Sequence, residues 1–342
     1  MARRRRRRAE ATATAACYDA RAESRGGSRR GLQVHHNLVK RAIIREALIV
    51  FGLDRVSCFV LDVGCGRGGD WSKFRDALED LQREVVCDVC SILSWVGSDP
   101  SPRSIQVARS RHSREVGSRL CSPPSFSLGT AAESLRPSRV RPGSLGVLSA
   151  QFMLHYACDT RARCQELLRA AAEALVGGGV LVATLVHSRR LVREVRRESA
   201  SSPYRPVGPE WAAGLEEASW GQQYSVTIRG RGGQVLVDGC LECAVPWQPL
   251  LSEAMRAGFN VHTAECLDDW VERRIQAEPV RGGELRRSRA ELRTAEARLS
   301  ATYAVLILVR AHGPGARPEA PRGGAGAERK RGPRGPEGHS DL

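Results

Sequence analysis

The chain has 342 residues and a formal net charge of +15 at pH 7, from 53 lysines and arginines against 38 aspartates and glutamates. A chain of this length can bury a sizeable core, and its excess of positive charge predicts an anionic partner. No stretch of the sequence approaches the apolar length of a membrane span, and the N-terminus lacks an apolar signal segment, so we expect neither.

Both ends of the chain are rich in Arg and Gly and poor in apolar residues. Residues 1–31 begin with "MARRRRRRAE", and residues 313–342 consist mostly of Gly, Pro, Arg and Glu. Such segments cannot offset chain entropy by burial, so we predict two disordered tails around a folded region over 32–312. The arginine block is typical of a nuclear-import signal or a nucleic-acid tether, or it reflects a GC-rich genome.

Strands and helices alternate through the first part of the folded region. The predicted elements are, in chain order, a helix over 35–48, a strand over 58–63, a helix over 70–81, a strand over 95–99, a helix over 102–112, strands over 125–128 and 145–152, a helix over 162–175 and a strand over 180–186. This alternation is typical of a doubly wound, mostly parallel α/β sheet.

The pattern changes in the later part of the chain. Two antiparallel strands are predicted over 224–230 and 234–245, followed by a helix over 249–257 and a closing strand over 302–311. We therefore predict a single α/β domain with a β-rich extension near its C-terminus.

A glycine-rich loop, "LDVGCGRGGD" over 61–70, follows the first predicted strand. A strand, a Gly-rich turn and a helix form the nucleotide-binding signature of open α/β sheets, which serves dinucleotides or S-adenosylmethionine. The acidic residue before the loop and the tight "GCGRGG" favour the methyltransferase version, in which glycines permit close backbone approach. Asp99 ends the next strand, from which a carboxylate reaches ribose hydroxyls, and Asp88 in "VVCDVC" is the alternative.

With these residues assembled, the chain resembles the cellular mRNA cap guanine-N7 methyltransferases from about residue 33 to 311. "HHNLVKRAII" is similar to that family's opening helix, "LDVGCGRGGDWSKF" to its LDLGCGKGGDLxKW loop and "QFMLHYA" to its QFxxHY strand. "GQQYSVTI", "LECAVPW" and "TYAVLILV" resemble its later blocks in the same order. The loop alone is common to many methyltransferases, whereas the ordered set of blocks is specific. The resemblance implies the Rossmann-like class I fold of S-adenosylmethionine-dependent methyltransferases.

The resemblance also implies a site shared between a cofactor and a cap. The residues at cofactor-contacting positions are Lys40, Gly64, Asp99, Gln151 and Tyr156. The residues at cap-contacting positions are His36, Asn37, Arg67, Lys73, Arg111, His155, Glu242 and Tyr303. The basic side chains among them suit the cap's phosphates.

The implied reaction is methyl transfer from S-adenosylmethionine to guanine N7 of the mRNA 5′ cap. Guanine N7 has a free lone pair, so no general base is required, and catalysis depends on proximity, orientation and electrostatics. Glu242, His155 and Tyr156 are the residues expected to provide them. The implied partner is capped RNA, with other capping enzymes or RNA polymerase II as further candidates. The expected location is the nucleus, with the cytoplasm as the alternative.

Two departures from the family pattern leave other functions open. Leu38 stands where the family has Trp, and Thr130 stands where an acidic residue is expected after the third strand. The alternatives are a methyltransferase acting on another RNA or a small molecule, and a catalytically silent RNA-binding scaffold of the same fold.

No metal site is expected, although the chain contains two CxxC pairs, Cys87–Cys90 and Cys240–Cys243. The second pair lies in a predicted strand, where side chains three residues apart point to opposite faces of the sheet. A pair divided in this way is poorly arranged to hold zinc.

Overall fold

The computed structural model describes residues 30–52, 57–84, 92–115, 121–197, 202–208, 211, 215–229 and 235–312. The arginine block, the C-terminal tail, Asp88 and the Cys87–Cys90 pair lie outside the described residues. The first helix begins at Arg30, one residue before the predicted end of the N-terminal tail.

The described strands form two sheets. The strands are β1 (Ser57–Val63), β2 (Ile92–Asp99), β3 (Ser125–Leu128), β4 (Leu145–Gln151), β5 (Leu175–Val186), β6 (Tyr204–Pro206), β7 (Gln223–Arg229), β8 (Val235–Cys243), β9 (Phe259–Cys266) and β10 (Tyr303–Arg310). The larger sheet has seven strands in the order β3-β2-β1-β4-β5-β10-β9. Strands β1 to β5 pair in parallel, and β10 is antiparallel to both of its neighbours. This is the predicted Rossmann-like class I methyltransferase fold, which is confirmed.

Helices cover both faces of the larger sheet. They are α1 (Arg30–Phe51), α2 (Trp71–Glu84), α3 (Pro102–Arg111), α4 (Ala131–Ser134), α5 (Leu154–Ala157), α6 (Arg161–Ala174), α7 (Ser188–Arg196), α8 (Trp247–Arg256), α9 (Leu267–Ala277), α10 (Pro279–Ala290) and α11 (Thr294–Ala301). Side chains of α1, α2 and α9 form the core on one face, and those of α6 and α8 form the core on the other. Burial on both faces explains why β4 is buried at every position.

A buried carboxylate fixes the helix that carries several predicted site residues. Glu46 of α1 accepts hydrogen bonds from Thr263 Oγ1 (3.1 Å) and Trp270 Nε1 (3.0 Å), and it pairs with Arg274. Burial alone would raise the pKa of Glu46, but the Arg274 guanidinium outweighs it and holds that pKa below its usual value. The network attaches α1 to β9 and α9.

The β-rich extension is confirmed as an antiparallel sheet of three strands in the order β6-β7-β8. A separate apolar core lies between this sheet and α7, and it contains Leu191, Tyr204 and Tyr224. Glu242 lies near the end of β8, opposite Tyr224 of β7 in the strand register. No helix within the described ranges is long and apolar enough to cross a membrane.

Candidate active site

The glycine loop is attached to the end of β2 by hydrogen bonds. The backbone N–H of Gly64 donates to Ser98 O at 2.7 Å. The carboxylate of Asp99 accepts from the backbone N–H of Gly66 and of Ser101, each at 2.9 Å. The predicted cofactor residues Gly64 and Asp99 therefore lie at one edge of the sheet, where the first two strands end.

Alanine at Gly64 should destabilise the fold more than alanine at Gly66, although both glycines have positive φ, 71° and 53°. An added Cβ at Gly64 would lie 2.7 Å from Met153 Cγ, whereas at Gly66 nothing lies within 4 Å. Gly66→Ala therefore reports only the left-handed backbone, which costs about 1–2 kcal/mol. Gly64→Ala adds roughly 1–3 kcal/mol of overpacking. Denaturant unfolding measures both variants, and equal losses would contradict the contact with Met153.

Two lysines meet on one buried carboxylate beside the loop. Asp70 Oδ2 lies 2.8 Å from Lys40 Nζ, and its Oδ1 lies 2.9 Å from Lys73 Nζ. Burial alone would raise the pKa of Asp70, but the two ammonium groups outweigh it and hold that pKa below its usual value. Lys73, predicted at the cap, is thus engaged by Asp70 and by the carbonyl of Gly69 (2.6 Å).

Three buried polar atoms near the ends of β1 and β4 have no hydrogen-bond partner within the described chain: Asp62 Oδ2, Ser149 Oγ and Gln151 Nε2. Asp62 and Ser149 are neighbours in the register of β1 and β4, and Gln151 follows two residues later on the same face. Burial and the nearby Asp70 raise the pKa of Asp62 well above its usual value. Buried polar atoms without partners are costly, so they indicate that a polar ligand completes this site.

These groups fit the amino-acid end of S-adenosylmethionine. The ammonium group of the cofactor donates hydrogen bonds that Asp62 can accept, and its positive charge would favour the ionised form of Asp62. The cofactor's carboxylate is an acceptor for the Gln151 amide. Lys40 and Asp99 each contact a residue of the loop, and their charges suit the cofactor's carboxylate and ribose hydroxyls respectively. Asp62 and Asp70 were not predicted individually, although both occur in the quoted loop sequence.

The segment after β4 turns abruptly. Phe152 has φ of 56°, a left-handed conformation that is uncommon for an aromatic residue, and its N–H donates to Thr184 O (3.0 Å) and Oγ1 (2.8 Å). The helical turn α5 follows and carries His155 and Tyr156. The prediction that "QFMLHY" continues a strand is therefore wrong beyond Gln151, because the chain reverses at Phe152.

Phe152 belongs to an aromatic wall formed with His36 and Tyr303. The Phe152 ring stacks on His36 at 5.0 Å and meets Tyr303 edge-on at 4.6 Å between centroids. Lys40 Nζ lies 5.1 Å from the centroid of Phe152, a favourable cation–π distance. Burial, with His35 and Lys40 adding to it, lowers the pKa of His36 to about 3, so the ring is neutral at pH 7.

Glu242 is the centre of a second cluster. Its carboxylate is 6% exposed and accepts hydrogen bonds from Tyr156 Oη (2.5 Å) and Tyr224 Oη (2.9 Å). His155 Nε2 lies 3.5 Å from Glu242 Oε2. Burial lowers the pKa of His155, although the Glu242 carboxylate acts in the opposite direction, so the ring is neutral at pH 7. Three predicted residues therefore meet here, and Tyr224 is an additional member.

The short segment Phe152–Tyr156 contacts every part of this arrangement. Phe152 contacts the aromatic wall, Met153 lies against the glycine loop, and Tyr156 donates to Glu242. The glycine loop, the aromatic wall and the Glu242 cluster are thus neighbours in one site.

The other predicted cap residues are less constrained. Arg67 is half-buried, whereas Arg111 and Asn37 are exposed. Neither arginine makes a hydrogen bond or ion pair within the described part of the chain. Their role at the cap's phosphates stays a prediction.

Both departures from the family pattern have a structural role. Thr130 is the N-cap of α4: its hydroxyl accepts from Glu133 N at 3.2 Å, while Glu133 Oε2 accepts from Thr130 N at 3.0 Å. A carboxylate therefore lies beside Thr130 at the end of β3. Leu38 packs, partly buried, against the core on the α1 face.

A metal centre has no support in the described ranges. No group of three or more His, Cys, Asp or Glu side chains there could hold a metal ion.

Sequence comparison finds a matching protein family and several similar proteins. Residues 2–206 match the family described as "mRNA (guanine-N(7))-methyltransferase domain". An mRNA cap guanine-N(7) methyltransferase from Aspergillus niger is 25% identical over 260 residues, which cover 64% of this chain and 39% of that protein. The Saccharomyces cerevisiae protein of the same name is 26% identical over 244 residues, or 63% and 50%. The chain thus spans half or less of the length of these two curated relatives.

Structure comparison finds more distant similarities. An S-adenosylmethionine-dependent methyltransferase from Mesorhizobium loti has a TM-score of 0.40 and 15% identity, covering 73% of this chain and 90% of that one. A geranyl diphosphate methyltransferase in complex with GPP and sinefungin has a TM-score of 0.43 and 12% identity, with coverages of 79% and 77%.

Proposed function

Because the chain belongs to the mRNA (guanine-N(7))-methyltransferase family, we propose that it transfers a methyl group from S-adenosylmethionine to guanine N7 of the mRNA 5′ cap. The observation that supports this proposal most directly is the buried carboxylate of Glu242, held beside an aromatic wall and the glycine loop. Glu242 and Tyr303 lie beyond the matched residues 2–206, so their clustering with His155 and Phe152 is support of a separate kind.

The proposed mechanism needs orientation rather than proton transfer. When bound, S-adenosylmethionine supplies an electrophilic methyl group on a sulfonium. The aromatic wall of His36, Phe152 and Tyr303 offers flat faces against which a purine can lie. His36 and His155 are neutral at pH 7, so they add no positive charge that would oppose the charge developing on the guanine ring.

Glu242 has the chemistry to recognise guanine and to stabilise it as it becomes cationic. A carboxylate can accept hydrogen bonds from both the N1–H and the exocyclic amine of guanine. Its negative charge is held in a site that excludes most water, where electrostatic stabilisation is stronger than in solution. The hydroxyls of Tyr156 and Tyr224 hold the carboxylate in position before substrate binds.

Removing one of these hydroxyls should weaken cap recognition. We expect Tyr224→Phe to raise the KM for the cap about tenfold, because a hydrogen bond to a charged group contributes about 1.5–3 kcal/mol. S-adenosylmethionine affinity should not change, since Tyr224 contacts no part of the glycine loop. Tyr204→Phe is the matched control: its ring meets Tyr224 edge-on at 5.8 Å, but its hydroxyl does not bond to Glu242. Steady-state kinetics on both substrates would show the split, and an identical response of the two variants would refute a positioning role for Tyr224.

The direct test is methyl transfer to GpppRNA by the purified full chain. Digestion of the product should release labelled 7-methylguanosine. No labelled 7-methylguanosine despite measurable cofactor binding would refute the proposal. In that case, label at another RNA position would favour the alternative methyltransferase, and no turnover at all would favour the silent scaffold. Association with other capping enzymes or RNA polymerase II, and location in the nucleus, stay predictions.

A further inference from the structure

We propose that the outer face of α7 binds the phosphates of the RNA chain just downstream of the cap. The inference rests on the proposed function, because it assigns the path of that function's substrate. No predicted site residue belongs to helix α7.

The helix has two sharply different faces. Leu191, Val192 and Val195 are buried, while Arg189, Arg193 and Arg196 are exposed. These arginines occupy positions i, i+4 and i+7, which project from within roughly 60° of each other around a helix. They form one continuous basic stripe, defined here as Arg189, Arg193 and Arg196.

Two of the three arginines of this stripe have no partner among the residues that the structure describes. Arg193 and Arg196 make no hydrogen bond or ion pair with any residue that the structure describes. Arg189 lies 3.6 Å from Glu217, at a half-exposed site. The acidic residue of the helix itself, Glu194, is buried and pairs with Arg197 instead. The stripe is therefore available for an anionic ligand.

The helix that carries the stripe begins beside the wall of the candidate active site. Val186, two residues before the helix, is paired with Tyr303 in the register of β5 and β10. The N–H of His187 donates to Thr302 O at 2.8 Å, and the buried face of α7 belongs to the core that includes Tyr224 and Tyr303. A nine-residue helix is about 13 Å long, so the whole stripe lies within a few nucleotides of the site.

RNA is the partner that this chemistry fits best. Guanidinium groups bind phosphate oxygens with paired hydrogen bonds, and a row of them along a helix matches the repeating charge of a single strand. A capped RNA leaves the site as such a strand, whereas an acidic peptide has no comparable reason to lie there. Competition by poly-glutamate makes the acidic peptide an outcome of the test.

The experiment compares two triple substitutions in the full chain. The test variant carries Arg189→Gln, Arg193→Gln and Arg196→Gln. The control variant carries Arg136→Gln, Arg141→Gln and Arg169→Gln, three arginines that are also exposed but lie on other elements. The N-terminal arginines are present in both, so their contribution to RNA binding cancels in the comparison.

Binding of a capped RNA of about 20 nucleotides is measured against salt, and turnover is measured on the dinucleotide GpppA. The test variant should lose about two units of the slope of log K against log salt, because each phosphate contact to a single strand contributes about 0.7. Raising the salt from 50 to 200 mM weakens RNA binding by some factor in the parent chain. In the test variant that factor should be roughly twentyfold smaller. Turnover of GpppA should be unchanged in both variants.

The inference would be overturned if the test variant showed the same salt dependence as the control, or if it lost GpppA turnover. It would also be overturned if poly-glutamate displaced the bound RNA as effectively as a competing RNA of equal charge. Failure of the parent chain to methylate GpppA would instead refute the proposed function. The two failures are therefore distinguishable.

Discussion

Glu242→Gln should reduce kcat/KM for cap methylation by roughly 10²–10³-fold, the range found when a group that stabilises transition-state charge is removed from a dry site. Glutamine keeps the size of the side chain but removes the negative charge that opposes the positive charge developing on guanine. In the parent chain, the hydroxyls of Tyr156 and Tyr224 each donate to one oxygen of the Glu242 carboxylate. The glutamine replaces one of these acceptor oxygens with an N–H₂ donor, so one of the two hydrogen bonds can no longer form as it does in the parent chain. Affinity for S-adenosylmethionine should remain unchanged.

Glu253→Gln is the matched control for this prediction. Glu253 is 3% exposed, as buried as Glu242, but its carboxylate binds Arg161, Gln165 and Arg256 away from the site. Both variants should lose stability, because each removes a buried, hydrogen-bonded charge. Only Glu242→Gln should lose turnover when both are assayed below their unfolding transitions. Equal activity of the two variants would contradict the assignment of Glu242.

The fold could be predicted because its signals are local and repeated. The parallel strands β1, β4 and β5 are short apolar runs between helices, and their burial on both faces requires such sequences. Strand β9 was not predicted, since only Phe259 and Thr263 of its residues are buried and its pattern does not alternate. Helix α10 was not predicted either, because its arginines and glycines show little apolar periodicity.

The candidate site was predicted by resemblance, and its local chemistry was not. The glycine pattern of the loop indicates Gly64, but nothing in the sequence indicates that Asp70 engages both Lys40 and Lys73. The contact between Lys40 and Asp70 joins residues 30 positions apart in the chain and depends on how α1 packs against α2. The reversal at Phe152 was also missed, because left-handed φ is uncommon for aromatic residues and has no sequence signal.

Tyr224 illustrates a further limit of the sequence. It alternates with its neighbours as any strand residue would, and a buried tyrosine in a sheet is ordinary packing. Its importance comes from the register that pairs it with Glu242 and directs its hydroxyl onto that carboxylate. The register of β7 and β8 depends on the segment that joins them and on which face is buried, so neither strand encodes it alone.

Asp99→Ala should weaken S-adenosylmethionine binding by about 10–100-fold, which corresponds to the 1.5–3 kcal/mol of a hydrogen bond to a charged group. The carboxylate ends β2 and also accepts from Gly66 N and Ser101 N, so the variant loses both a ribose acceptor and a tie that shapes the loop. Calorimetric titration measures the cofactor affinity directly. Thermal unfolding with and without cofactor separates lost affinity from lost stability, because a ligand stabilises the fold only as far as it binds.

Asp88→Ala tests whether the ribose acceptor has been assigned to the correct residue. Asp88 lies outside the described residues, and the sequence alone left it as the alternative to Asp99. If Asp99 is the ribose acceptor, Asp88→Ala should bind cofactor as the parent chain does. The opposite pattern, normal affinity in Asp99→Ala and weak affinity in Asp88→Ala, would transfer the role to Asp88. Asp99 would then serve only to hold the loop, and its loss would lower the melting temperature equally with and without cofactor.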